Sequence, residues 1–164
     1  MIEKQSPYLS NKDRLQDIIA AIQVMASYRY SARRINAWAS ILGEKPRSAD
    51  NWLTIFNDHP EFFRVLDDDE GKHTLILRRA QSRVYNTRTG DELTIEEFRR
   101  LPKQERSHIS RKPLTTEQTL SLIEVAVTLQ NQAVARRQEL RWWVHVVVPA
   151  LSALVGALLG ASIG

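Results

Sequence analysis

The chain has no cysteine in its 164 residues. That excludes disulfides, thiolate metal sites and cysteine nucleophiles. No Asn-x-Ser/Thr sequon occurs, and the first residues, Met1 to Pro7, lack the basic and apolar regions of a secretory signal. Charge is absent from one long stretch. The last 23 residues carry no Lys, Arg, Asp or Glu, so all 42 charges (23 basic, 19 acidic) fall in residues 1–141. The soluble part is therefore polar and its core small.

Catalytic signatures are missing too. There is no Gly-x-Ser-x-Gly, no glycine-rich phosphate loop and no His-Glu-x-x-His. His59, His73, His108 and His145 are far apart and lack metal-ligand spacing. His59 before Pro60 reads as the end of a helix. The Asp67–Glu70 run lacks the alternating ligands of a calcium loop and reads as a solvated turn. The expectation is a non-enzymatic protein with no catalytic residue, metal or cofactor.

What is present is most explicit at the C-terminus. Residues 142–164 span about 34 Å as an α-helix at about 1.5 Å per residue, against about 30 Å of bilayer hydrocarbon. A single C-terminal transmembrane helix is expected, with Pro149 tolerated inside it. Arg136, Arg137 and Arg141 precede the stretch and nothing charged follows, which places the N-terminal domain on the cytoplasmic side. Trp142 and Trp143 fall at the interface, with His145 near the headgroups. Ser152, Gly156, Gly160 and Gly164 recur every four residues. Such a row lets helix backbones approach closely, so helix packing and a homo-oligomer are expected. The net charge of +4 divides into +1 over residues 1–80 (12 basic, 11 acidic) and +3 over 81–141 (11 basic, 8 acidic). The excess near the tail suits an anionic inner leaflet.

Upstream, Thr115 and Gln118 form a capping box that opens a helix over 115–141. Leu120, Val127 and Val134 are spaced by seven, with Ile123 between the first two. Gln130 and Arg137 then break the heptad. The pattern predicts a helix whose first half packs on the domain and whose second half is a polar stalk.

The first 80 residues read as one small domain. Ser10 precedes a helix with Leu15, Ile18, Ile19, Ile22 and Met25 on one face. Ser31 opens a second helix with Ile35, Trp38, Ile41 and Leu42 inward, closed by Gly43. Ser48 caps a third, with Trp52, Ile55 and Phe56 buried, ended by His59 and Pro60. The period then changes to strand-like over 62–66 and 73–79, a hairpin with an acidic tip. Three helices followed by a hairpin, with Trp38, Trp52 and the run Phe62 to Val65, resemble the winged-helix fold over residues 10–80. The whole layout, with its Arg-Lys-Pro-Leu-Thr segment and Arg-Trp-Trp entry, also resembles small uncharacterised bacterial membrane proteins. The fold class is thus mainly α with a small β-hairpin: a winged-helix-like domain (1–80), a connector with a short strand and helix (81–114), a stalk (115–141) and the transmembrane helix (142–164).

In the connector, residues 83–85 suggest an edge strand, and Thr94 with Glu97 a capping box before a helix closed by Pro102. Its Arg and Lys residues suit lipid headgroups or a solvated loop. The resemblance implies DNA binding or protein binding. Arg33, Arg34, Lys45, Arg47, Asn51 and Thr54 are the candidate surface for either. Four carboxylates at Asp67, Asp68, Asp69 and Glu70 would face phosphate in a DNA complex. The expected function is therefore a membrane-anchored adaptor or sensor that binds a protein partner. A tethered DNA-binding regulator is the alternative, and a membrane-perturbing effector ranks third.

Overall fold

The computed structural model describes residues 6–66 and 71–161, the last part, 140–161, as backbone only. After a 3-10 turn at Pro7–Leu9 come α1 (Arg14–Ser27), β1 (Ala32–Arg34), α2 (Ile35–Leu42) and α3 (Trp52–Asp58). The hairpin strands β2 (Phe63–Val65) and β3 (Lys72–Leu75) follow, then a one-turn helix α4 (Ile76–Arg79). The connector holds β4 (Tyr85–Asn86), α5 (Ile95–Arg100), α6 (Lys103–Arg106) and β5 (Ile109–Ser110). The chain ends in α7, 46 residues from Thr116 to Ala161. The fold is mainly helical with two small antiparallel sheets, one in the order β1-β3-β2 and one pairing β4 with β5.

The apolar spacing in α1 delivers Ile18, Ile22 and Met25 to full burial, with Ala21 and Ala26 beside them. Trp38 of α2 is also fully buried. Its indole N–H donates to the His73 carbonyl at 2.9 Å, which fixes α2 on β3. Gly43 ends α2 at φ 104°, a conformation that a side chain would strain. The Gly43 carbonyl accepts the Trp52 indole N–H at 2.7 Å, locking α3 to the end of α2. Phe56 stacks on Phe63 at 4.6 Å and closes α3 on the sheet.

Four local expectations shift. The first helix begins at Arg14, while Ser10 holds the Pro7 carbonyl and the Arg14 guanidinium through its hydroxyl. Ser48 is not the cap of α3. Asn51 is, its side chain accepting from the Thr54 N–H at 3.0 Å. The serine's N–H and hydroxyl instead bind the Asp17 carboxylate at 2.7 and 2.5 Å. Residues 32–34 form a strand because β3 has a second edge to satisfy, and Ala32 pairs with Thr74 there. The strand expected over 73–79 stops at Leu75. Its partner β2 begins only at Phe63, since the preceding turn is held by the His59 carbonyl accepting from Phe62 and Phe63. The last bond across the pair runs from the Ile76 N–H to the Phe62 carbonyl at 2.8 Å, and the chain then coils into α4.

Helix α7 completes the core. It lies on α1 and on the N-terminal turn, with Ala126 and Ala133 buried in the core and Leu122, Ile123 and Leu129 packed alongside. The Leu114 N–H donates to the Ala26 carbonyl just before the helix begins. The Thr115–Gln118 capping box forms as the sequence suggests, at 3.1 and 3.2 Å. Leu120, Val127 and Val134 face outward, being 52%, 36% and 38% exposed. The stripe that packs is the neighbouring one, because alanine lets the two helix axes come close.

Among the residues whose side chains are described, no helix is long and apolar enough to cross a membrane. Trp142, Trp143, Ser152, Gly156, Gly160 and Gly164 lie outside them, as do the wing-tip residues Asp67 to Glu70.

Candidate functional site

Two clusters of buried polar groups organise the domain. The first centres on Arg78, which is completely buried. The end of α4 turns it inward, where its guanidinium donates to the carbonyls of Met25 (2.8 Å), Arg111 (3.1 Å) and Tyr30 (3.4 Å). Burial brings its pKa down to about 10, opposed weakly by nearby Tyr85, so it stays charged at neutral pH. No carboxylate pairs with it among the described residues. One guanidinium thus pins together the end of α1, the entry to β1 and the segment leading to α7.

Around this hub, three segments distant in sequence are laced together. The Ser31 N–H donates to the Ser110 hydroxyl at 2.9 Å. Arg83 donates through Nε to the Ile109 carbonyl at 3.0 Å, and Arg111 donates to the Gln81 carbonyl at 2.6 Å. Arg33 donates to the Tyr28 hydroxyl at 2.9 Å, with its guanidinium over the Tyr28 and Tyr30 rings at 5.4 and 5.7 Å. Arg29 covers Tyr30 at 5.3 Å. Burial lowers the Arg111 pKa, and the neighbouring charges of Arg83 and Arg79 lower it further.

The second cluster joins the N-terminal turn to the end of α3. The Tyr8 hydroxyl donates to Glu61 Oε1 at 2.6 Å, and His59 Nδ1 meets the same oxygen at 3.0 Å. A carboxylate only accepts, so Nδ1 carries the proton. Burial and this hydrogen bond push the Tyr8 pKa up. Burial would raise that of Glu61, but the bonds from His59 and Tyr8 prevail and lower it. His59 is fully buried and its Nε2 has no partner. The group ties the N-terminal turn to the end of α3. It does structural work, and His59 ends the helix as its place before Pro60 suggests.

A groove of about 240 Å³ runs between α3 and β2, lined by Phe56, Asn57, Pro60, Phe63, Arg64, Val65 and His73. The His73 nitrogens are buried and unpaired. Burial lowers its pKa, and the Gly71 backbone opposes that slightly without reaching hydrogen-bond geometry. Both nitrogens are buried, so the polar groups the groove offers are those of Asn57 and Arg64 beside an apolar wall.

No known protein family, curated protein or solved structure matches this chain. Among the described residues, no grouping of three or more His, Asp or Glu could hold a metal ion.

The surface residues suggested by the sequence separate into two groups. Arg33 and Arg34 lie on β1, with the laced segments. Lys45 and Arg47 lie in the turn before α3, where Arg47 reaches the Gln16 side chain at 3.4 Å and its N–H binds Asp17. Asn51 is occupied as a cap, and Thr54 donates to it. Arg136 and Arg137 are exposed on α7, beyond the packed stretch. Sequence reasoning missed Arg29, Arg78, Arg79, Arg83 and Arg111 as one assembly. The signal was three acid-free runs, over residues 18–43, 71–90 and 106–116.

Proposed function

We propose that this protein is a membrane-anchored, non-enzymatic adaptor or sensor, whose cytoplasmic winged-helix domain presents a binding surface to a protein partner. One observation carries the reading: α7 is a single helix that is part of the domain core at Ala126 and Ala133 and continues unbroken to Ala161. Its sequence loses all charge after Arg141. A helix shared this way couples the domain to whatever holds its far end.

The order α1-β1-α2-α3-β2-β3, with the sheet arranged β1-β3-β2, supports the winged-helix part of the reading. The outward side chains of α3 support a protein partner over DNA. Leu53, Thr54 and Asn57 are exposed and uncharged, and Asp50 precedes them, so that face supplies no cation to a phosphate backbone. In this reading residues 142–164 cross the bilayer, Trp142 and Trp143 mark its surface, and Ser152, Gly156, Gly160 and Gly164 pack a homo-oligomer.

Membrane fractionation tests it. The full chain is expected in the pellet after high-salt and alkaline washes, and the chain ending at Arg141 in the supernatant. A truncated chain that stays in the washed pellet would overturn the anchor, and so would a full chain that washes off.

A further inference from the structure

The three segments drawn together by Arg78, residues 29–34, 78–83 and 109–112, contain eight cations and no acid: Arg29, Arg33, Arg34, Arg78, Arg79, Arg83, Arg111 and Lys112. Of these, only Lys112 has an acidic partner among the described residues, Glu92 at 2.6 Å. Arg33 is held by a tyrosine hydroxyl and two rings, and Arg83 and Arg111 are held by backbone carbonyls. Such partners fix a guanidinium in place without neutralising it. A fold that collects like charges and leaves them uncompensated carries a repulsive cost. Rigid, unneutralised guanidinium forks match carboxylate and phosphate oxygens.

We propose that the surface formed by Arg29, Arg33, Arg79, Arg83 and Arg111 is the docking site for a short acidic segment of a protein partner. The proposal rests on the adaptor reading and names the chemistry of its partner. Two alternatives fit the surroundings less well. The host membrane is out of reach: Arg111 precedes the start of α7, and the helix from Thr116 to Trp142 covers about 39 Å. Duplex DNA is broad enough to reach past the patch. The chain also carries Asp50, Asp58 and four consecutive acids at 67–70, which would oppose a polyanion that spans more than the patch. A short acidic peptide fits within the patch. Arg29 and Arg33 lie over the Tyr28 and Tyr30 rings, where they compete with any base that would stack there.

The test uses the full chain in neutral detergent and fluorescence anisotropy with a labelled oligo-glutamate peptide at physiological ionic strength. Binding is expected. Each of two paired variants, Arg29→Gln with Arg79→Gln and Arg83→Gln with Arg111→Gln, should weaken it about tenfold, as expected for losing two charges at an interface. The side chains of the first pair make no hydrogen bond among the described residues, so it reports on binding even if the second pair unfolds. Arg136→Gln with Arg137→Gln, which removes two charges from exposed α7, should leave affinity unchanged. Three results would overturn the proposal: no peptide binding, an equal loss in the α7 variant, or tighter patch-dependent binding to duplex DNA or phosphatidylserine vesicles. Absence of peptide binding in a chain that still resists membrane washing would remove this site while leaving the anchor standing. Patch-dependent DNA binding would remove the protein-partner reading as well.

Discussion

Around Arg78, a buried cation is held by carbonyl oxygens alone, whereas around Glu61, Asp58 and Asp17 each carboxylate takes up donors from another segment. There Glu61 accepts from Tyr8 and His59, Arg14 approaches Asp58 at 3.3 Å, and Asp17 binds the turn at Arg47 and Ser48. The second arrangement closes on itself and leaves nothing for a ligand. The first leaves positive charge unspent on the surface. Self-neutralising clusters hold a fold together, and uncompensated ones leave charge at the surface.

Breaking the hub should have the largest effect. Arg78→Met keeps apolar volume but strands the carbonyls of Met25, Tyr30 and Arg111, at a cost of about 3–5 kcal/mol. Urea denaturation of the full chain in detergent reads this as a lower midpoint, and Arg78→Lys should recover only part of it. Asp17→Ala comes next, at about 2 kcal/mol, since two backbone N–H groups and the Ser48 hydroxyl lose their acceptor.

Tyr8→Phe should cost about 1 kcal/mol and should change how stability depends on pH. The Glu61 pKa is lowered in the fold, so its contribution is present above its usual value of 4.5 and is lost as pH falls through the folded value. Tyr8 is raised, so its contribution is complete below its usual value of 10.0 and is lost as pH climbs above that. In Tyr8→Phe the alkaline loss should disappear and the acid loss should shrink. An unchanged profile would mean that the cluster does not couple the two groups. The smallest effect is expected at Thr94→Ala. It removes an exposed capping box at the start of α5, a helix that buries nothing. Faster amide exchange over residues 95–100 is expected, with no change in global stability.

Much of the local structure was legible because it depends on neighbouring residues. The boxes Thr94–Glu97 and Thr115–Gln118, the glycine stop at Gly43 and the apolar face of α1 all follow from short spacings. The misses share one cause, long-range pairing. Ser48 looks like a cap until Asp17, 31 residues away, claims it. Residues 32–34 look helical until β3 recruits them. Leu120, Val127 and Val134 look like a seam, but α1 takes the alanine stripe beside them. The arginine surface is the extreme case, since Ser31 and Ser110 meet across 79 residues and no spacing rule links them.

The absence of cysteine makes the central claim, a domain held off the membrane on a shared helix, directly measurable. A single cysteine in place of exposed Ser27, at the end of α1, or exposed Gln138, late in α7, can carry a fluorophore in the full chain reconstituted into vesicles. Lipids bearing a nitroxide at the headgroup then report depth. The account predicts strong quenching at position 138 and none at position 27, which lies beside the start of α7, about 39 Å of helix from Trp142. Equal quenching at both positions, or none at either, would contradict it.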